Sequence, residues 1–198
     1  LAAFAGNAAA RDIETRIHPL LYTTPIPKHV YLGGRFLAAF TLGSLIVLAI
    51  PAGVFAASLF PIEKAGVTGP IHLAAYLSTY LLLLLPNTFF VVAFMFAVAV
   101  LKRKGILTYL IAILIGVATI ASWQIFGSQQ GNWALANLTD PMGLTIMQEL
   151  KEVWSANQKN TLLPGLQSST LLNRMVWFAL SAGMLLITYR AFKTSSIA

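Results

Sequence analysis

Apolar residues fill this chain in long blocks, and the charged positions between them mark where each block ends. Phe36–Phe60 runs 25 residues without an acid or a base, Leu73–Leu101 runs 29, Ile106–Phe126 runs 21 and Met175–Tyr189 runs 15. A helix needs about 20 apolar residues to cross the hydrocarbon core of a bilayer. Three blocks reach that length directly. The fourth reaches it when extended back over Leu171 and Leu172, with Arg174 snorkelling to the interface. The pattern therefore predicts membrane helices over residues 36–60, 73–101, 106–126 and 171–191. The opening Leu1–Ala10, small and nearly all apolar, reads as the last turns of a further membrane helix that starts upstream.

Between the blocks the period changes. In residues 11–34, apolar side chains recur at Ile13, Ile17, Leu20 and Leu21, the stripe of an amphipathic helix over 11–22. Arg11, Asp12, Glu14, Thr15, Arg16 and His18 take the polar positions. Pro19 should bend or tighten that helix, because it lacks an N–H and crowds the carbonyl four residues back. Thr24-Pro25-Ile26-Pro27 then has to run extended, with Pro27 suited to the first turn of the next helix. Two readings of this passage stand side by side: an interfacial helix whose bases set topology, and a docking helix that offers its polar side to a partner. Residues 127–170 form the longest polar segment. Asp140 and Pro141 predict a helix start, and Ile146, Met147, Leu150, Val153 and Trp154 give an apolar stripe over 141–156. Such a helix would lie at a membrane surface or cover an exit path.

Composition supports the membrane reading. The chain is 58% hydrophobic and 10% charged, with a mean hydropathy of +0.77, against roughly 25% charged residues in soluble domains. A net charge of +7 would suit nucleic acid, but the bases cluster at the ends of the apolar blocks, where they act as topology signals. Alternating helices put Arg11, Arg16, Lys28, Arg35, Lys102, Arg103, Lys104, Arg190 and Lys193 on one side. Lys64, Lys151, Lys159 and Arg174 fall on the other. The richer side is expected to be cytoplasmic. No cysteine is present, which removes disulfides and thiolate-held metals.

The sequence offers no catalytic constellation. It has neither a G-x-x-x-x-G-K-[ST] loop for nucleotide phosphates nor an H-E-x-x-H zinc motif, and His18, His29 and His72 are scattered. Pro51 and Pro86 fall inside predicted helices, and each frees a backbone carbonyl. With Asn87, whose amide needs a partner in hydrocarbon, they are candidates for a hinge or pathway lining, against the plainer reading of kinked structural helices. Gly43, Ser44, Gly116, Ser181 and Gly183 suit close helix packing.

Two stretches carry a family resemblance. "FAGNAAARDIETRIHPLLYTTPIPKHVYLGGRFLAAF", with Arg11-Asp12, the "LLYTTPIP" corner and "YLGGRF", resembles the intracellular loop of ABC-2 type exporter permeases. Within them it is similar to a bacterial subgroup in which such segments precede a zinc aminopeptidase domain. Asp140-Pro141, Trp154, Lys159-Asn160-Thr161, Leu163-Pro164 and Leu172-Asn173-Arg174 agree in order, and "LPNTFF" stands where a Pro-Asn pair is usual.

The resemblance implies an all-α polytopic membrane domain over 1–198 with ABC-2 topology, lacking its first helix. Residues 11–34 would be the cytoplasmic coupling loop and 127–170 the external segment. Arg11, Asp12, Glu14, Thr15, Arg16, His18, Leu20 and Leu21 would couple to an ABC ATPase. This chain would bind no cofactor, with ATP and Mg held by that ATPase. A second permease half or a second copy would complete a non-catalytic exporter in the bacterial cytoplasmic (inner) membrane. The alternative is a membrane anchor or scaffold for a peptidase or other partner, without transport.

Overall fold

A computed structural model describes residues 1–17, 26–59, 72–163 and 167–192, the side chain of Asn160 excepted. Among them every regular element is helical. In chain order these are α1 (Ala2–Glu14), α2 (Lys28–Leu59), α3 (Leu73–Lys102), α4 (Leu107–Gln129), α5 (Trp133–Thr139), α6 (Leu144–Val153), α7 (Ala156–Thr161) and α8 (Ser168–Ala191). Helices α2, α3, α4 and α8 are each long and apolar enough to cross a membrane.

The helix bounds differ from the apolar blocks in ways the backbone explains. Helix α2 begins eight residues before Phe36, because Pro27 supplies the carbonyl that accepts from the N–H groups of Val30 and Tyr31 at 3.0 and 3.1 Å. Residues 28–34 thus join the helix rather than the loop. Of the helix predicted over 11–22, residues 18–22 lie outside the described residues, and residues 11–14 end a helix that starts at Ala2 and stops at Glu14. There the Arg16 N–H donates to the Ile13 carbonyl and the Ile17 N–H to the Asp12 carbonyl, with Arg16 in the left-handed region at φ 59. That pair of bonds is a Schellman closure. Helix α3 closes the same way, with Arg103 at φ 55 and the Lys104 N–H donating to the Ala99 carbonyl at 3.2 Å.

Pro86 is accommodated by a π-helical turn at Tyr80–Leu84, where the Leu85 N–H reaches back to the Tyr80 carbonyl. Widening the helix just before the proline relieves the clash of its ring with the preceding turn. The helix predicted over 141–156 is shortened to α6, Leu144–Val153, with the separate short helices α5 before it and α7 after it. Pro141 falls outside all of them, because Gly143 turns the chain at φ 69 and α6 starts only at Leu144. Ser155 then opens α7 with a capping box to Gln158.

The chain forms two compact units: residues 1–43, 88–118 and 175–198 in the first, and 44–87 and 119–174 in the second. The described bases divide along the same line. Arg11, Arg16, Lys28, Arg35, Lys102, Arg103, Lys104 and Arg190 belong to the first unit, and Lys151, Lys159 and Arg174 to the second.

In the first unit α3 is the core, burying Phe90, Val92, Ala93, Phe96, Ala97 and Ala99. Phe36 stands edge-on to Phe89 and Phe96 at 5.6 and 5.8 Å between ring centroids, and Phe89 stacks on Phe178 at 4.8 Å. Over its most apolar window α3 is 56% buried, against 17% for α2 and α4 and 22% for α8. Helices α2, α4 and α8 turn wide apolar faces outward, with Leu45, Ile113, Ile120 and Ile187 all more than half exposed. Faces of this kind are stable against lipid, where packing and hydrogen bonds rather than water exclusion hold helices together.

Candidate functional site

Two clusters of polar groups stand out, one in each unit. The first lies at the end of α1. Asp12, on the polar side of the sequence stripe, is expected to face outward, yet it is only 3% exposed. Its Oδ2 accepts from the Tyr31 hydroxyl at 2.9 Å and pairs with the Arg35 guanidinium, which also donates to the Ala8 carbonyl at 2.7 Å. The reason is that α1 continues unbroken from the apolar segment. Asp12 therefore keeps the helical register of Ala5 and Ala9, seven and three residues earlier on the buried face.

Glu14 is exposed but engaged: its Oε1 accepts from the Gly105 N–H at 2.9 Å. Below it, α1 and the start of α4 approach closely. A Cβ placed on Gly6 would lie 3.0 Å from the Gly105 carbonyl oxygen, and the Thr108 hydroxyl donates to the Ala2 carbonyl at 2.9 Å. The end of α1 is thus fastened to α2 through Asp12 and to the turn before α4 through Glu14. Of the eight residues expected to couple to an ATPase, Arg11, Glu14, Thr15 and Arg16 are exposed, Glu14 while bonded to the Gly105 N–H, and Asp12 is buried. His18, Leu20 and Leu21 lie outside the described residues.

The second cluster gathers Asn87, Asn137, Asp140, Thr145, Asn173 and Arg174, all buried. Asp140 caps α6 from four residues upstream: its Oδ1 accepts from the Met142 N–H at 2.9 Å and its Oδ2 from the Thr145 N–H at 2.7 Å. The Asn173 amide donates to the Asn137 and Asp140 carbonyls, closing the end of α5, and its Oδ1 accepts from Arg174 Nε at 3.0 Å. Arg174 donates to Asn87 Oδ1, and Asn87 Nδ2 donates to the Met142 carbonyl at 2.8 Å. Arg174 does not snorkel; it is turned inward, 9% exposed. Such a buried cation is tolerable because its donors meet amide oxygens rather than hydrocarbon.

Asn87 thereby finds the partner its position demands, as a tie between α3, α8 and the turn that leads into α6. Pro51 lies across a groove of about 250 Å³ from Tyr76, Thr79 and Leu84, beside the π-helical turn. Sequence reasoning treated Asp140 and Asn173-Arg174 as separate marks and missed their convergence on Asn87. The available signal was the placement of polar residues at the ends of apolar blocks. Among the described residues no group of acids and histidines is arranged to hold a metal. Neither cluster pairs a nucleophile with a base. No protein-family model, curated protein or solved structure matches the chain.

Proposed function

We propose that this chain is the membrane-spanning permease component of an ATP-binding-cassette exporter, which couples ATP hydrolysis by a partner ATPase to movement of substrate across the membrane. The observation that favours it is the fastening of α1 at both Asp12 and Glu14. A coupling element has to pass force to the membrane helices without yielding. A helix end tied to α2 and to the α3–α4 turn meets that requirement, and leaves Thr15 and Arg16 exposed just beyond the ties. Asp12 is thus withdrawn from the docking surface and becomes part of its mounting. The protein is non-catalytic in this reading, with ATP and Mg on the partner, and works in the bacterial inner membrane with a second permease half or a second copy.

The test is co-purification from membranes with an ATPase encoded beside the gene. Arg16→Glu should abolish complex formation and ATPase stimulation while the membrane domain keeps its thermal stability. Survival of both would sink the docking assignment. Absence of any neighbouring ATPase, with a peptidase fused instead, would favour the anchor reading. Topology is checked by cysteine labelling on the cysteine-free chain: Gln129→Cys should react from outside only, and labelling from the cytoplasm alone would invert the orientation.

A further inference from the structure

A groove of about 660 Å³ runs between α1 and α2 within the first unit, lined among others by Phe4, Asn7, Arg11, Ala38, Ala39 and Leu42. Its chemistry is graded along α1. Arg11 is exposed at one end, Asn7 is exposed one turn away, and Phe4 is 43% exposed a further turn on. At 1.5 Å of rise per residue these levels are about 6 and 10 Å from Arg11. The opposite wall, Ala38, Ala39 and Leu42, is apolar and mostly small. Neither Asn7 nor Arg11 has a side-chain hydrogen bond or ion pair to another described residue. Arg35, the other cation of the groove, is already committed to Asp12 and the Ala8 carbonyl.

An amide left exposed on a helix among membrane-spanning neighbours needs a polar partner, and Arg11 supplies a positive charge at the level where an apolar wall begins. We propose that this groove binds one anionic phospholipid. Its phosphate would sit on the Arg11 guanidinium, its ester carbonyl would accept from the Asn7 amide, and one acyl chain would lie along Ala38, Ala39 and Leu42 beside Phe4. The order cation, amide, hydrocarbon matches the order phosphate, ester, chain. A water-soluble anion would have no use for the apolar wall, and a plain apolar helix would leave both Asn7 and Arg11 unanswered.

Native mass spectrometry of the whole chain, released from nanodiscs of mixed phosphatidylglycerol and phosphatidylcholine, tests this. Retention of one phosphatidylglycerol in preference to phosphatidylcholine is expected. Arg11→Gln should lower that retention about fivefold, the worth of one basic residue near an anionic headgroup. Asn7→Leu should lower it too, and Ala38→Trp should abolish it by filling the groove. Circular dichroism and thermal melting establish that each variant is folded. Equal retention of the two lipids, or retention unaffected by Arg11→Gln, overturns the proposal. So does efficient disulfide dimer formation by Ala38→Cys in the membrane, which would assign the groove to a second copy.

Discussion

Arg174 at the start of α8 donates a hydrogen bond to Asn87 in the middle of α3, 87 residues earlier in the chain. The same Asn87 amide donates to the carbonyl of Met142, so one side chain joins α3 and α8 to the turn that leads into α6.

That arrangement predicts strong coupling between the two residues. Asn87→Leu leaves a buried guanidinium short of an acceptor and should cost about 3 kcal/mol or more, the upper range for an orphaned charged donor. Arg174→Met should cost less, since it removes the charge as well as the bond. The double variant should be more stable than the sum of the two losses implies. Thermal unfolding of the four proteins in one detergent gives the cycle. Additive losses would mean the two side chains do not interact.

Asp12 and Arg35 predict a second cycle, in the first unit. Reversing Asp12 alone to Arg should destabilise the membrane domain itself, by about 3–5 kcal/mol for a buried pair broken on one side. Asp12→Arg combined with Arg35→Asp should recover part of that loss. The readout is the melting temperature of the purified domain with no ATPase present. An unchanged melting temperature for Asp12→Arg would return Asp12 to the exposed surface.

Gly143 and Gly131 separate backbone strain from crowding. Both have positive φ, 69 and 66, so alanine at either carries a left-handed penalty of about 1–2 kcal/mol. At Gly131 the added methyl meets open space, whereas at Gly143 it would lie 2.5 Å from Arg174 Nη2. Gly143→Ala should therefore lower thermal stability clearly more than Gly131→Ala, and its excess should shrink in an Arg174→Met background. Equal losses at the two positions would show that Arg174 does not pack over the turn.

Arg16 offers a way to part stability from coupling. Glycine relieves the left-handed strain of a non-glycine residue, so Arg16→Gly should raise the stability of the α1 end by about 1 kcal/mol. If Arg16 docks an ATPase, the same change should weaken complex formation. Hydrogen exchange at the Arg16 and Ile17 amides reports the first effect and co-purification the second.

What the sequence by itself determined is the set of long helices, apolar enough to cross a membrane. A charge-free run of 21 or 29 residues has few alternatives, since in hydrocarbon a backbone must satisfy its own hydrogen bonds. Proline positions were legible for the same reason: Pro27 at the start of α2 and the disturbance before Pro86 follow from a missing N–H. Helix ends were less legible. An amphipathic stripe at Ile13, Ile17, Leu20 and Leu21 argued for a helix past Glu14, yet Arg16 in a left-handed conformation closes it, and arginine gives no signal of that backbone.

Only the tertiary structure decided which polar residues face outward. Asp12 and Arg174 looked like surface charges because polar groups at the edges of apolar blocks ordinarily reach water. Each is instead buried against partners 23 and 87 residues away. Local pattern carries no information at that separation. The choice between exposing a charge and burying it depends on whether complementary donors and acceptors converge in space, and only the packed helices supply them.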